Sequence, residues 1–164
     1  MSKILVFGNS GSGKSTLAKQ LYNERGLAHL DLDTLAWLPT NPPQRKPLAE
    51  SRAEIEAFIQ SYDTWVIEGC YADLLEVAAP HATEAIFMNL PVALCIENAR
   101  QRPWEPHKYA SKEEQDANLD MLIEWIAQYP ERADVFSETA HTALYQNFAG
   151  RKRLYTSNER AENA

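Results

Sequence analysis

An α/β fold, with helices on both faces of a parallel sheet, is the class this sequence predicts, and three observations predict it. Short apolar runs alternate with stretches of helical periodicity. The first apolar run leads through a glycine-rich loop directly into a helix. No linker, repeat or low-complexity stretch divides the 164 residues, so residues 1–164 are expected to form one domain with a proper core.

Ile4-Leu5-Val6-Phe7 reads as a buried strand, and Leu17, Ala18, Leu21 and Tyr22 recur at helical spacing up to the stop at Gly26. His29-Leu30-Asp31-Leu32-Asp33 predicts a second strand with both carboxylates on one face at its end. Residues 37–47 hold Pro39, Pro42, Pro43 and Pro47 and are expected to be irregular. Ser51-Arg52-Ala53-Glu54 has the spacing of a capping box opening a helix with Ile55, Phe58 and Ile59 inward. A third strand, Thr64-Trp65-Val66-Ile67, ends at Glu68-Gly69, and a short helix over 73–79 stops at Pro80. The fourth strand, 84–90, precedes a helix from Pro91 with Val92, Cys95, Ile96 and Ala99 on its apolar face. Residues 100–109, with Pro103 and Pro106, are expected to be a loop. A second capping box, Ser111-Lys112-Glu113-Glu114, starts a helix burying Leu119, Leu122, Ile123 and Ile126. A further helix over 132–148, a strand over 152–155 and a polar, frayed tail over 157–164 complete the prediction.

The net charge of −7 argues against non-specific nucleic-acid binding, which needs a basic stripe. Cys70 and Cys95 lack metal-ligand spacing and read as reduced thiols. No apolar run approaches the length of a membrane span and the chain enters its first strand at once, so a cytoplasmic protein without a membrane partner is expected, as a monomer or homodimer.

The chemistry is concentrated at Gly8, Asn9, Ser10, Gly11, Ser12, Gly13, Lys14, Ser15 and Thr16, which fit G-x-x-x-x-G-K-[ST]. A strand, a glycine loop and a helix N-terminus converge backbone N–H groups and the positive end of the helix dipole on phosphate. Lys14 would reach the β- and γ-phosphates and the Ser15 hydroxyl would hold Mg²⁺. In parallel sheets ligands lie beyond the carboxyl ends of the strands, which directs attention to the polar residues there. Asp33 is expected to contact the acceptor; Asp31 and Glu68, with Ser15, are expected on the metal side, the order of metal contact among the three carboxylates being open. Arg100 and Arg102 enter the proline-rich loop and would close over the transferred phosphoryl group. Arg45, Lys46 and Arg52 read equally well as solvated charges or as ligands of an anionic acceptor.

These residues resemble the small P-loop kinases of the adenylate kinase and shikimate kinase superfamily, through Gly8-Asn9-Ser10-Gly11-Ser12-Gly13-Lys14-Ser15-Thr16. His29-Leu30-Asp31-Leu32-Asp33 with Trp37, and Trp65-Val66-Ile67-Glu68-Gly69-Cys70-Tyr71, are similar to a narrower group, the bacterial adenylate-kinase-like DNA topology modulation proteins. The likeness continues through Leu122-Ile123-Glu124-Trp125 to Lys152-Arg153. It implies a three-layer αβα P-loop NTPase fold with a five-stranded parallel sheet, ATP and Mg²⁺, a short lid over about 100–114 and an acceptor-side segment over about 34–60. It places Thr156, Ser157 and Asn158 near the adenine. Glu68 and Cys70 replace that group's Asp and Asn, Gly69 stands without a glycine triplet, and Gly69-Cys70-Tyr71-Ala72 replaces G-F-P-R, so neither shikimate nor AMP follows as acceptor.

The function expected is transfer of the γ-phosphoryl group of ATP to a small-molecule acceptor. The alternative is an ATP-binding regulator that uses nucleotide as a switch for nucleic-acid or protein binding, with Arg151-Lys152-Arg153 and the 100–108 loop as its candidate basic patches. A GTPase is disfavoured by the lack of an N-K-x-D motif.

Overall fold

Apolar alternation decides the architecture. In the computed structural model, which describes residues 1–159, the first strand β1 (Lys3–Gly8) sends Ile4 and Val6 to one side and Leu5 and Phe7 to the other. All four are fully buried, as expected for a central parallel strand covered on both faces. It is followed by α1 (Lys14–Arg25), β2 (Ala28–Asp31), the short strands β3 (Trp37–Leu38) and β4 (Gln44–Arg45), α2 (Leu48–Ser61), β5 (Trp65–Gly69), α3 (Ala72–Ala78), β6 (Glu84–Met88), α4 (Val92–Arg100), α5 (Lys112–Ala127), α6 (Glu138–Asn147) and β7 (Arg151–Tyr155).

The main sheet is five-stranded and parallel, in the order β2-β5-β1-β6-β7. Leu17 and Ala18 of α1, Cys95 and Ala99 of α4 and Ile126 of α5 cover the Ile4/Val6 face. Ile55 of α2, Leu74, Leu75 and Val77 of α3 and Leu144 of α6 cover the Leu5/Phe7 face. This is the three-layer αβα fold expected, with the sheet's strand order reversing beside β1. Register brings Asp31 opposite Glu68 and Gly8 opposite Met88, so the polar strand ends lie along one edge.

Four local expectations need correction. Asp33 is not on the second strand; β2 ends at Asp31 and a 3₁₀ turn takes Leu32–Thr34. The turn is capped by the Asp31 carboxylate, which accepts from the Asp33 N–H at 2.9 Å. Residues 37–47 are not wholly irregular: β3 and β4 pair antiparallel, Trp37 with Arg45 and Leu38 with Gln44, and the prolines occupy the connection and the exit. Helix α2 starts one turn before Ser51, at Leu48 behind Pro47. Ser51 is buried and its hydroxyl donates to the Leu35 carbonyl at 3.0 Å, tying helix to loop. Helix α6 starts at Glu138, where Ser137 caps by accepting from Ala140 N–H at 3.0 Å. The preceding residues are held off helix by Asp134, which accepts from Phe136 N–H at 3.0 Å.

The second capping box forms as expected: Ser111 accepts from Glu114 N–H at 3.1 Å and opens α5. Of the tail anticipated over 157–164, residues 160–164 lie outside the described residues.

Gly11 shows why the loop needs glycine. Its φ is +78°, and a Cβ there would stand 2.3 Å from the Cys95 carbonyl oxygen of α4. We expect Gly11→Ala to cost about 3 kcal/mol or more, from combined left-handed strain and overpacking against backbone. Urea unfolding with an unchanged m-value would report it.

Candidate active site

The loop between β1 and α1 is anchored from two sides. Asn9 is buried, and its side-chain amide donates to the Ile126 carbonyl of α5 at 3.1 Å. Asn98 of α4 donates to the Gly11 carbonyl at 2.8 Å. Gly11 and Gly13 both take left-handed φ, +78° and +89°, and Gly13 is the N-cap residue of α1. The chain thus turns at the start of a twelve-residue helix whose first N–H groups have no intrahelical partner. The Lys14 ammonium donates to the Asn9 carbonyl at 2.7 Å, folding its stem over the loop.

Ser10, Gly11, Gly13, Lys14, Ser15 and Thr16 form one wall of a cavity of ≈ 190 Å³. Glu68, Gly69 and Cys70, at the end of β5, and Asp33, from the turn after β2, form the opposite wall. Arg102, Pro103, Glu105 and Lys108, from the connection between α4 and α5, close the top. The Ser15 hydroxyl donates to Glu68 Oε1 at 3.0 Å, although the residues are 53 apart in sequence. Glu68 is 1% exposed, and His29 Nε2 lies 3.5 Å from the same oxygen.

Asp33 is held through both carboxylate oxygens. Its Oδ2 accepts from Lys108 at 3.0 Å and its Oδ1 from the Tyr71 hydroxyl, which accepts in turn from Trp37 Nε1 at 2.8 Å. Burial pushes the Asp33 carboxyl upward, but the Lys108 charge and the Tyr71 and Lys108 hydrogen bonds outweigh it and hold the group below the usual carboxylate range. Asp33 is therefore ionised at neutral pH. Asp31 behaves in the opposite way: burial, then Glu68 and Asp33, push it up to about 6 despite Lys108. Burial depresses Lys108, but Asp33 and Asp31 more than restore it, so the ammonium stays charged. Burial pushes the Cys70 thiol up to about 12, so a neutral S–H faces the cavity.

Behind Cys70, His141 is fully buried. Its Nε2 lies 2.8 Å from the Cys70 carbonyl, which can only accept, so Nε2 carries the proton and Nδ1 accepts from Tyr129 OH at 2.6 Å. The imidazole thereby props the backbone of the cavity wall. Burial lowers it to about 4. The unfolded chain takes up this proton near pH 6.5, so the neutral ring's contribution is complete above that pH and is lost as pH falls toward 4. We expect no His141 titration between pH 5 and 8 by NMR, and an acid loss of stability on the order of 3 kcal/mol that His141→Gln lacks.

The structure therefore gathers Lys14, Ser15, Asp33, Glu68 and Arg102 at one cavity. Asp31 stands behind this wall, its Oδ2 3.8 Å from Lys108. Arg100 does not reach the cavity; it lines a separate crevice with Tyr109 and Gln115. Arg45 and Lys46 are also elsewhere, paired with Asp73 at 3.0 Å and Glu54 at 2.9 Å. Sequence reasoning gave no role to Lys108, Glu105, Tyr71 or Trp37. A second cavity of ≈ 360 Å³ adjoins the first, lined by Gly13, Thr16, Asn98, Gln101 and Asn158 among others. There Asn98 and Asn158 exchange amide hydrogen bonds of 2.8 and 3.1 Å.

The donor set fits Mg²⁺ and a phosphate chain. A hydroxyl and a carboxylate stand together at the helix N-terminus, both hard oxygen donors. Among the described residues no group of three or more His, Cys, Asp or Glu could hold a metal ion alone. Mg²⁺ does not require one, since it is usually held by one or two protein groups with substrate phosphates and waters.

Comparison with known proteins agrees with this fold. A family model described as AAA domain matches residues 4–119. Among solved structures, the chain is similar to the shikimate kinase from Acinetobacter baumannii in complex with shikimate, at 12% identity and a TM-score of 0.55, covering 98% of this chain and 86% of that one. A gluconokinase from Sinorhizobium meliloti 1021 matches at 16% identity and a TM-score of 0.54, covering 97% and 84%. The deoxyadenosine kinase from M. mycoides with bound dATP matches at 10% identity and a TM-score of 0.50, covering 98% and 94%. At these identities the likeness carries the fold. No curated protein matches the chain by sequence.

Proposed function

Because the chain belongs to the AAA domain family, matched over residues 4–119, we propose that it is an ATP-dependent phosphotransferase acting on a small-molecule acceptor. The observation that carries this reading is one cavity in which the phosphate-loop residues Lys14 and Ser15 face the strand-end carboxylates of Asp33 and Glu68 across ≈ 190 Å³. A nucleotide switch needs only the first half of that arrangement.

In this account Gly8, Asn9, Ser10, Gly11, Ser12, Gly13 and Thr16 shape the phosphate loop, and Lys14 and the α1 N-terminus hold the β- and γ-phosphates. Ser15 and Glu68, with Asp31 behind them, would hold Mg²⁺, which would supply neutralisation of the phosphate charge. Asp33 orients the acceptor hydroxyl in line with the γ-phosphorus and takes its proton late, as suits a weak base serving a loose transition state. Arg102 and Lys108 neutralise the transferred group from above and exclude water. Arg100 serves the hinge of this lid and not its inner face. Residues 1–164 act as one kinase-like domain, with 100–114 as lid and 34–60 on the acceptor side, and Asn158 contributes to the nucleoside pocket.

The narrower kinship with DNA topology modulation proteins rests on the Asp31–Asp33 and Glu68–Tyr71 motifs. In the two basic segments that a nucleic-acid switch would use, Arg151 and Lys152 are exposed, but Arg153 pairs with Glu84 at 2.8 Å, Arg102 with Glu105 at 3.4 Å and Lys108 with Asp33 at 3.0 Å. That favours the small-molecule reading. ADP release from Mg·ATP should rise severalfold to a thousandfold with the right hydroxyl compound; tight ATP binding that no acceptor changes, with DNA binding at low salt, would favour the switch instead.

A further inference from the structure

We infer that the acceptor is a hydroxyl compound with no negative charge, either an uncharged polyol or an alcohol bearing a protonated amine. The inference rests on the phosphotransferase reading of the cavity. An anion taken out of water needs a cation or donors that are not already committed. The cavity does not offer them on its acceptor side, because Arg102 and Lys108 are held by carboxylates and, on closing, serve the transferred phosphoryl group.

Lys14 belongs to the phosphate loop. Arg102 stands 3.4 Å from Glu105 Oε1. Lys108 is held by three carboxylates, at 3.0 Å from Asp33, 3.6 Å from Glu105 and 3.8 Å from Asp31. Arg45, beyond Tyr71, does not line the cavity; it pairs with Asp73 and lies over the Tyr71 and Phe136 rings at 5.1 and 5.8 Å, although its buried Nε has no acceptor among the described residues. Lys19 lines the cavity from the exposed surface of α1, where water screens its charge. Against these cations stand Asp33, Glu68 and Glu105 in the cavity wall, with Asp31 behind them opposite Glu68. A phosphate or carboxylate on the acceptor would add a further negative charge beside them.

Glu105 points the same way. Its buried Oε1 accepts no hydrogen bond among the described residues and faces the Arg102 guanidinium at 3.4 Å as an ion pair. A carboxylate oxygen can only accept, so whatever binds beside Glu105 must be a donor. Hydroxyls and ammonium groups donate; ionised phosphates and carboxylates do not. The Lys108 ammonium among Asp31, Asp33 and Glu105 already shows which charge this wall holds. An acceptor amine would take over that position as the lid residues move, whereas a neutral polyol would bind beside it.

The test uses acceptor series that share a scaffold and differ in charge: glucose, glucosamine and glucuronate; ethylene glycol, ethanolamine and glycolate; adenosine and its 5′-monophosphate. Mg·ADP is first titrated into the protein by calorimetry, each compound is then titrated into the protein–Mg·ADP complex, and kcat/KM for ADP release is measured with Mg·ATP. Within each responding series the neutral or amine member should exceed the anionic one by roughly a hundredfold in affinity and in kcat/KM. An anionic member equal to or better than its partners would overturn the inference while leaving the phosphotransferase reading intact. Failure to bind Mg·ADP would overturn the phosphotransferase reading and this inference with it.

Discussion

Replacing Lys14 by alanine should lower acceptor-dependent ADP formation about a thousandfold, a transition-state loss of about 4 kcal/mol. The expectation follows from how little else the side chain does. Lys14 is the first residue of α1, and its ammonium donates to the Asn9 carbonyl of its own loop, which bonds Ser12 N–H as well. Removing it takes away one charge-assisted hydrogen bond at a partly exposed site, and the buried anchors of the loop, Asn9 to Ile126 and Asn98 to Gly11, remain. The melting temperature should therefore change by only a few degrees. Steady-state ADP release and thermal unfolding on the same preparation separate the two effects. An unfolded variant would mean that the lysine holds the loop; a folded, fully active one would mean that it does not stabilise phosphate.

Asp33→Asn should reduce turnover by about a hundredfold to a thousandfold, with ATP binding nearly unchanged. The amide keeps the shape and can still accept from the Tyr71 hydroxyl, but it loses the charge that holds Lys108 and the capacity to take a proton. The connection between α4 and α5 is joined to this wall through Lys108, so the KM for the acceptor should rise along with the fall in kcat. The pH profile supplies the sign. The wild-type Asp33 carboxyl titrates below the usual carboxylate range, so it is ionised throughout neutral pH and activity should not fall on its account until the medium is more acidic than about pH 4. An acid limb nearer pH 6 would point to Asp31, whose carboxyl lies at about 6, as the group that must be ionised.

What was legible in the sequence was local or periodic. The strand, loop and helix of the phosphate site are contiguous, and each residue type has a local geometric reason. The two-faced burial of β1, β5 and β6 follows from apolar runs too short for helices and too uniform for one-sided strands. The strand-end rule found Glu68 and Asp33 for the same reason, since it needs only the end of each run. Long-range pairing was not legible. Lys108 meets Asp33 across 75 residues and Tyr71 meets Asp33 across 38, and neither separation has a pattern. Arg100 and Arg102 look equivalent in sequence, but α4 ends between them: both line one crevice, and only Arg102 also reaches the cavity beside Lys14. Ser51 carries the spelling of a helix cap, yet the Leu35 carbonyl claims its hydroxyl after the chain has folded back. Local chemistry proposes such caps, and tertiary partners decide them.

A phosphotransferase moves a phosphoryl group to something other than water. A labelled γ-phosphoryl group can be followed from Mg·ATP, with the acceptor series present, in the wild-type protein and in Lys14→Ala. Label is expected on one hydroxyl compound, formed faster than labelled inorganic phosphate, and neither product is expected with the variant. Label that appears only as inorganic phosphate, at a rate no acceptor changes, would contradict the phosphotransferase reading.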